Sequence, residues 1–154
     1  MGYQVPRSLV GAFYEIYAAR DVQAMAQYFH DDVEWTINGP VDYLSFCGTH
    51  RGKAAVADMI QCQIPKVLRT YSFVPEAIVV DGDQAAMLSR QSSRRTTDGQ
   101  PISHRVSNFM RFLDGKLMEN LSLIDTFDAV EQVLGHPLAV QEAPALDPDG
   151  VVAI

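Results

Sequence analysis

Asp125, His104 and Arg90 are the residues of this chain best suited by type and place to move a proton. Each interrupts an alternating, otherwise apolar run. His104 and Asn108 share a period-two face with Val106, Met110 and Phe112. Arg90 shares one with Leu88 and Ser92, and Asp125 shares one with Leu121 and Leu123. If these faces look inward, their polar members stand on the wall of a pocket, and an apolar pocket with a few convergent polar groups is the usual form of a small-molecule site. Burial raises a carboxylate pKa and a nearby guanidinium lowers it, so an inward Asp125 beside Arg90 is tuned for proton transfer. A neutral His104 or the Asn108 amide can donate a hydrogen bond to a developing enolate oxygen. The set suits proton abstraction beside a carbonyl or an intramolecular aldol closure. It also suits water addition if Asn38 and Asp125 orient the water. The plainer readings are a buried Arg90–Asp125 ion pair, a core histidine with its bonds satisfied, and an asparagine bonded only to its neighbours.

The elements that must hold these residues follow from periodicity. Pro6 suits the first turn of a helix whose apolar face carries Leu9, Val10, Phe13, Ile16 and Tyr17. Asp21 caps a shorter helix with Val22, Met25, Ala26 and Phe29 on one side. "HDDVEWTI" turns extended, and "NGPVDYLSFCGTHRG" reads as a loop in which Trp35, Tyr43 and Phe46 could close a pocket mouth. Lys53 to about Gln63 reads as a third helix disturbed at its end by Pro65. The period then becomes two. Tyr71 to Val80, Ala85 to Thr96, Ile102 to Leu113 and Leu117 to Thr126 are four strands joined by "DGD", "TDGQ" and "DGK". Asp-Gly supplies the positive φ of tight hairpins, so three in succession predict an antiparallel meander. "DAVEQVLG" adds a closing helical turn. Helices followed by a meander make an α+β layer fold, here a strongly curved sheet wrapped around the first helix as a cone.

Composition narrows the partners. The 154 residues are 47% hydrophobic and 20% charged, which fits one soluble domain. The domain is expected over residues 1–135, with 136–154 a C-terminal extension packed on a partner subunit. A net charge of −7 argues against nucleic acid, since there is little basic surface to release counterions. Cys47 and Cys62 are not in metal-ligand or redox spacing, which points to reduced thiols in a cytoplasmic protein. No apolar run is long enough to cross a membrane. No motif demands a metal or an organic cofactor.

The stretches "AARDVQAMAQYFHDDVEW", "GTHRGKAAVADMI", "RFLDGKL" and "LIDTFDAVEQVLG" resemble the SnoaL-like branch of the nuclear transport factor 2-like superfamily, over roughly residues 8–135. The resemblance implies the cone-shaped, cystatin-like fold of ketosteroid isomerase. It also implies a homodimer through the convex sheet face, here carrying Arg105, Ser107, Phe109 and Arg111. Against the ketosteroid isomerase pattern, Ile37 or Asn38 stands at the base, Phe13 at the oxyanion-hole tyrosine and Asn108 at the protonated acid. Against the limonene-epoxide hydrolase pattern, Arg90, Asp125 and Asn38 match, while Ser92 replaces a carboxylate and Thr36 falls near the tyrosine. Polyketide cyclases of the SnoaL type imply Asp125 as acid/base with His104 nearby. These readings make Asp125, His104 and Arg90 the catalytic candidates. Asn108, Asn38, Trp35, Tyr17 and Phe13 are the candidate contacts to a small apolar molecule. The expected function is a cofactor-independent cyclase, isomerase, dehydratase or epoxide hydrolase. The competing one is a non-catalytic ligand-binding or dimerisation module.

Overall fold

The structure, a computed structural model, describes residues 2–139. Helix α1 spans Arg7–Ala18, and α2 spans Val22–Ala26 with its first turn capped by the Asp21 carboxylate, which accepts from the Ala24 N–H at 3.0 Å. Strand β1 is Phe29–Asn38 and β2 is Gly48–Arg51. Helix α3 is Lys53–Asp58; a π-helical turn over Met59–Gln63 leads into α4, Ile64–Val67. Then come β3 (Leu68–Asp81), β4 (Gln84–Arg95), β5 (Pro101–Leu113), β6 (Lys116–Ile124) and α5 (Thr126–Leu134).

The expected meander is present. Gly82, Gly99 and Gly115 close its three hairpins at φ of 58°, 74° and 77°. The full sheet is six-stranded, in the order β2-β1-β6-β5-β4-β3, curved and unclosed. Among the described residues, only β1 and β6 run parallel. The helices cover the concave face. Two local expectations change. The segment read as a loop contains β2, which pairs antiparallel with β1, and it buries Leu44, Phe46 and Cys47. Pro65 does not end the third helix. An α-helical turn there would set its ring against the Gln61 carbonyl. Instead the turn widens, the Ile64 N–H bonds to the Met59 carbonyl, and the helix runs on.

The core lies between α1 and the concave face. Phe13 is fully buried at its centre, with ring centroids 5.3 Å from Tyr14, 6.0 Å from Tyr28, 6.2 Å from Phe29 and 6.3 Å from Trp35. Helix α5 docks by its Gln132 amide, which donates to the Ser103 carbonyl and accepts from the Ser103 N–H, both at 2.8 Å. Its C-terminal carbonyls at Gln132 and Val133 accept from Arg95 at 3.0 and 3.2 Å. Gly135 suits this place because its φ of 79° is left-handed, and a Cβ there would also displace the Arg95 guanidinium 2.5 Å away. Residues 140–154, most of the expected C-terminal extension, lie outside the described residues.

Candidate functional site

The inner face is set by register. In β4 and β5, Gln91 lies opposite His104, Ser89 opposite Val106 and Met87 opposite Asn108. In β5 and β6, Ser122 lies opposite Asn108. Directly opposed residues share a face, so one buried polar row runs across the cone: Ser89, Gln91, Ser93, His104, Asn108, Asn120 and Ser122. His104 and Asn108 are inward, 2% and 3% exposed.

The row has two stations. At the first, His104 faces Gln91, whose amide nitrogen donates to the Thr70 hydroxyl at 3.0 Å and to the Ser93 hydroxyl at 3.3 Å. The Nδ1 of His104 is buried and bonds to none of the described residues. At the second, the Trp35 indole N–H donates to the Ser122 hydroxyl at 2.9 Å, and that hydroxyl donates to Asn108 Oδ1 at 2.6 Å. Direction in this relay follows from the donors. An indole nitrogen only donates, so Ser122 spends its proton on Asn108, and the Asn108 N–H groups are left for a ligand. The two stations are four residues apart on β5, about 13 Å of strand, with Val106 between them. Both line a cavity of about 30 Å³ closed by Tyr17, Trp35, Phe46 and Phe73.

Burial pushes the His104 pKa down from its ordinary 6.5, against a weaker upward pull from the Asp128 and Asp125 carboxylates. The imidazole is therefore neutral at pH 7 and free to accept a proton. The same shift predicts a pH effect on stability. The folded chain binds this proton less readily than the unfolded chain, so stability is lost as pH falls below about 6.5. Above that value His104 contributes no slope. Urea titrations from pH 7.5 to 5 are expected to show this loss, and His104→Gln is expected to flatten it; an unchanged slope would assign the loss to other groups. Tyr14, raised well above 10 by burial and then by Tyr17, stays a phenol and donates to Met110 Sδ at 3.4 Å.

Four expected site residues fall elsewhere. Arg90 is on the convex face, where it and Arg105, directly opposite it, pair with Glu76 at 3.3 and 3.0 Å. The reason is parity: with Gln91 inward, Arg90 must point out. Asp125 is exposed, because β6 ends at Ile124 and Asp125 is the N-cap residue of α5. Asn38, at the open end of β1, is exposed. Phe13 belongs to the packed centre and does not line the cavity. Asn38, Arg90 and Asp125 thus do not converge, and the inner wall holds no carboxylate among the described residues. Trp35, Tyr17, His104 and Asn108 do meet around one cavity. Of the three rings expected at the mouth, Trp35 and Phe46 line the cavity and Tyr43 is exposed. Gln91 and Ser122 were not expected, since the alternations on β4 and β6 were assigned to the opposite face.

A curved sheet with helices across its concave side and a polar row inside is the architecture of the nuclear transport factor 2-like superfamily. Within it the chain belongs to the SnoaL-like domain family, whose profile matches residues 10–120. Among solved structures, an isomerase candidate from Rhodopseudomonas palustris is 34% identical, with 82% of this chain and 93% of that chain covered and a TM-score of 0.72. TerC, co-crystallised with polyporic acid, is 20% identical over 80% of this chain and 96% of its own, with a TM-score of 0.69. A hypothetical protein with a ketosteroid isomerase-like fold from Catenulispora acidiphila, in complex with trimethylamine, is 10% identical over 86% and 96%, with a TM-score of 0.69. At those identities the last two show the fold alone. No curated protein matches the chain. Among the described residues no helix is long and apolar enough to cross a membrane.

Proposed function

We propose that the chain is a cofactor-independent acid–base enzyme of isomerase or cyclase type, acting on a small, largely apolar carbonyl compound. One observation carries the reading: a buried imidazole, kept neutral by its surroundings and with no partner on Nδ1 among the described residues, lines the same cavity as the Asn108 amide. In this mechanism the His104 imidazole takes a proton from a carbon conjugated with the carbonyl. The C–H electron pair moves into the conjugated system, and charge appears on the carbonyl oxygen, where Asn108 donates a hydrogen bond. The imidazolium then returns the proton at another carbon, or the enolate carbon bonds to a second carbonyl carbon and the resulting alkoxide oxygen takes the proton back from the imidazolium. The spacing of the stations along β5 suits a ring-sized conjugated ketone, deprotonated at one end and charged at the other. The 34% identical isomerase candidate supports the class. The test is carbon-bound deuterium in cyclic enones and β-keto esters incubated with the protein in heavy water. Deuterium above a protein-free control supports the reading.

The cavity volume favours a second reading. About 30 Å³ holds little more than one water, so a substrate enters only as the surrounding rings move apart. A cone that stays filled would be a binding or assembly module. Retained ligand without deuterium exchange would support it over the enzyme.

In either reading the convex face is a dimer surface. Phe109 (51% exposed), Val79, Leu121 and Leu123 stand on it beside a groove of about 540 Å³. Sedimentation equilibrium is expected to give twice the chain mass, and Phe109→Glu is expected to halve it. A monomeric parent chain would remove the convex face from the account.

A further inference from the structure

A second cavity lies outside the cone's inner row, where the end of α1, the π turn and the start of β3 meet. It encloses about 250 Å³, and its walls include Val22, Ile60, Ile64, Leu68 and Thr70. Its most unusual member is Arg20. Both terminal guanidinium nitrogens of Arg20 are buried, and neither has a hydrogen-bond partner among the described residues. The guanidinium carbon sits 4.5 Å above the Tyr17 ring centroid, which holds the group in place without meeting its donors. A buried charge is normally paired, and an arginine cannot escape by losing its proton. Arg69 is the other charged residue on the wall, and no carboxylate among the described residues lines it. In a chain of net charge −7, that local sign is opposite to the whole.

The backbone adds a second observation. Arg20 ends α1 with a positive φ of 57°. Its N–H bonds to the Tyr17 carbonyl at 3.0 Å and the Asp21 N–H to the Ile16 carbonyl at 3.3 Å, the paired bonds of a Schellman closure. Glycine is the ordinary residue there because a side chain strains the left-handed conformation. Helix closure alone gives no reason for arginine at this place, where Arg20 lines the cavity with its two terminal nitrogens covered and unbonded.

We propose that this cavity binds a small apolar monocarboxylic acid, with the Arg20 guanidinium shifting from its covered place over the Tyr17 ring so that its two terminal nitrogens grip both carboxylate oxygens. Two adjacent free donors in a planar fork match a carboxylate. The aliphatic walls match an apolar body, and a volume just below the usual ~300 Å³ of ligand pockets limits that body to about one ring or a short chain. The site is separate from the His104 cavity and stands whether or not the acid–base reading does. The two are neighbours through Tyr17, whose ring carries Arg20 and lines the inner cavity.

The probe is 4-fluorobenzoate, titrated into the full chain and followed by fluorine NMR, with 4-fluorobenzamide as its uncharged twin. Saturable binding of the acid, at least tenfold tighter than the amide, is expected. Arg20→Gly, which keeps the left-handed turn, is expected to weaken the acid at least tenfold and leave the amide unchanged. The ligand-free variant is expected to melt at or above the parent temperature, because a buried unpaired charge has gone; an arginine with only a packing role would lower it. Ile64→Trp fills the cavity without altering Arg20 and is expected to abolish binding of the acid. Equal binding of acid and amide, full affinity in Arg20→Gly, or no saturable binding would each overturn the proposal.

Discussion

Replacing His104 by Gln is expected to slow deuterium incorporation by a factor of about 10²–10⁴, the usual contribution of a positioned general base. Gln keeps a polar side chain of similar length at the first station but cannot take a carbon-bound proton at neutral pH. The parent rate is expected to be flat above neutrality and to fall as pH drops through a value below 6.5, because the imidazole must be neutral to act and burial lowers its pKa. Circular dichroism on the variant establishes that the fold survives. Exchange that persists at the parental rate in His104→Gln would remove this residue from the chemistry and with it the acid–base reading. The parent protein also serves as an internal check, since loss of exchange in acid should track one ionisation rather than unfolding.

The largest effect on stability is expected at Phe13. Truncation to Ala removes a ring in contact with four other aromatic rings and leaves a cavity that they cannot fully close. The expected cost is about 3–5 kcal/mol, a large share of a domain's total stability. Urea unfolding measures it. Conditions that keep Phe13→Ala folded are expected to preserve its exchange rate, because the ring packs behind the cavity and does not line it. A folded, nearly unperturbed Phe13→Ala protein with no exchange would return Phe13 to the site.

How far the site was legible depends on the hairpin. The β4–β5 turn pairs Arg94 with Pro101, and counting back from that pair sets Gln91 against His104. Once His104 is placed inside, Gln91 must follow and Arg90 must point out. That inference needs only the "TDGQ" turn and the rule that opposed residues share a face, so Arg90 was a readable error. Strand β6 is different. Counting from the Leu113–Lys116 pair sets Leu121 against Asn108, which is the face on which Asp125 was sought. The actual ladder steps from Phe112 opposite Leu117 to Arg111 opposite Glu119, leaving Met118 unpaired. That bulge inverts every later residue and brings Asn120 and Ser122 inside. No residue type in "KLMENLSLI" announces it. The meander, the capped second helix and the enclosing helices were legible because each is written locally, in turn residues and periodicity. Arg20 was not singled out, because a guanidinium without partners is a property of tertiary burial alone.

Met118 has a consequence for how such proteins diversify. Because a strand alternates, the inner face of β6 beyond the bulge depends on whether this one codon's residue stands outside the ladder or within it. Loss of that codon would keep the "DGK" turn, the hairpin and the strand length within a residue. It would leave Arg111 opposite Glu119 and Asn108 opposite Ser122 in a regular ladder, with Asn120 and Ser122 still inward. The bond from Trp35 through Ser122 to Asn108 would survive it, whereas pairing Met118 into the ladder would move Ser122 to the outer face and break it. In alignments of chains built on this scaffold, a one-residue gap at this bulge therefore keeps the wall chemistry, whereas an ungapped chain with a regular ladder turns the residues at 121 and 123 inward, and point-by-point comparison would match residues that face opposite ways.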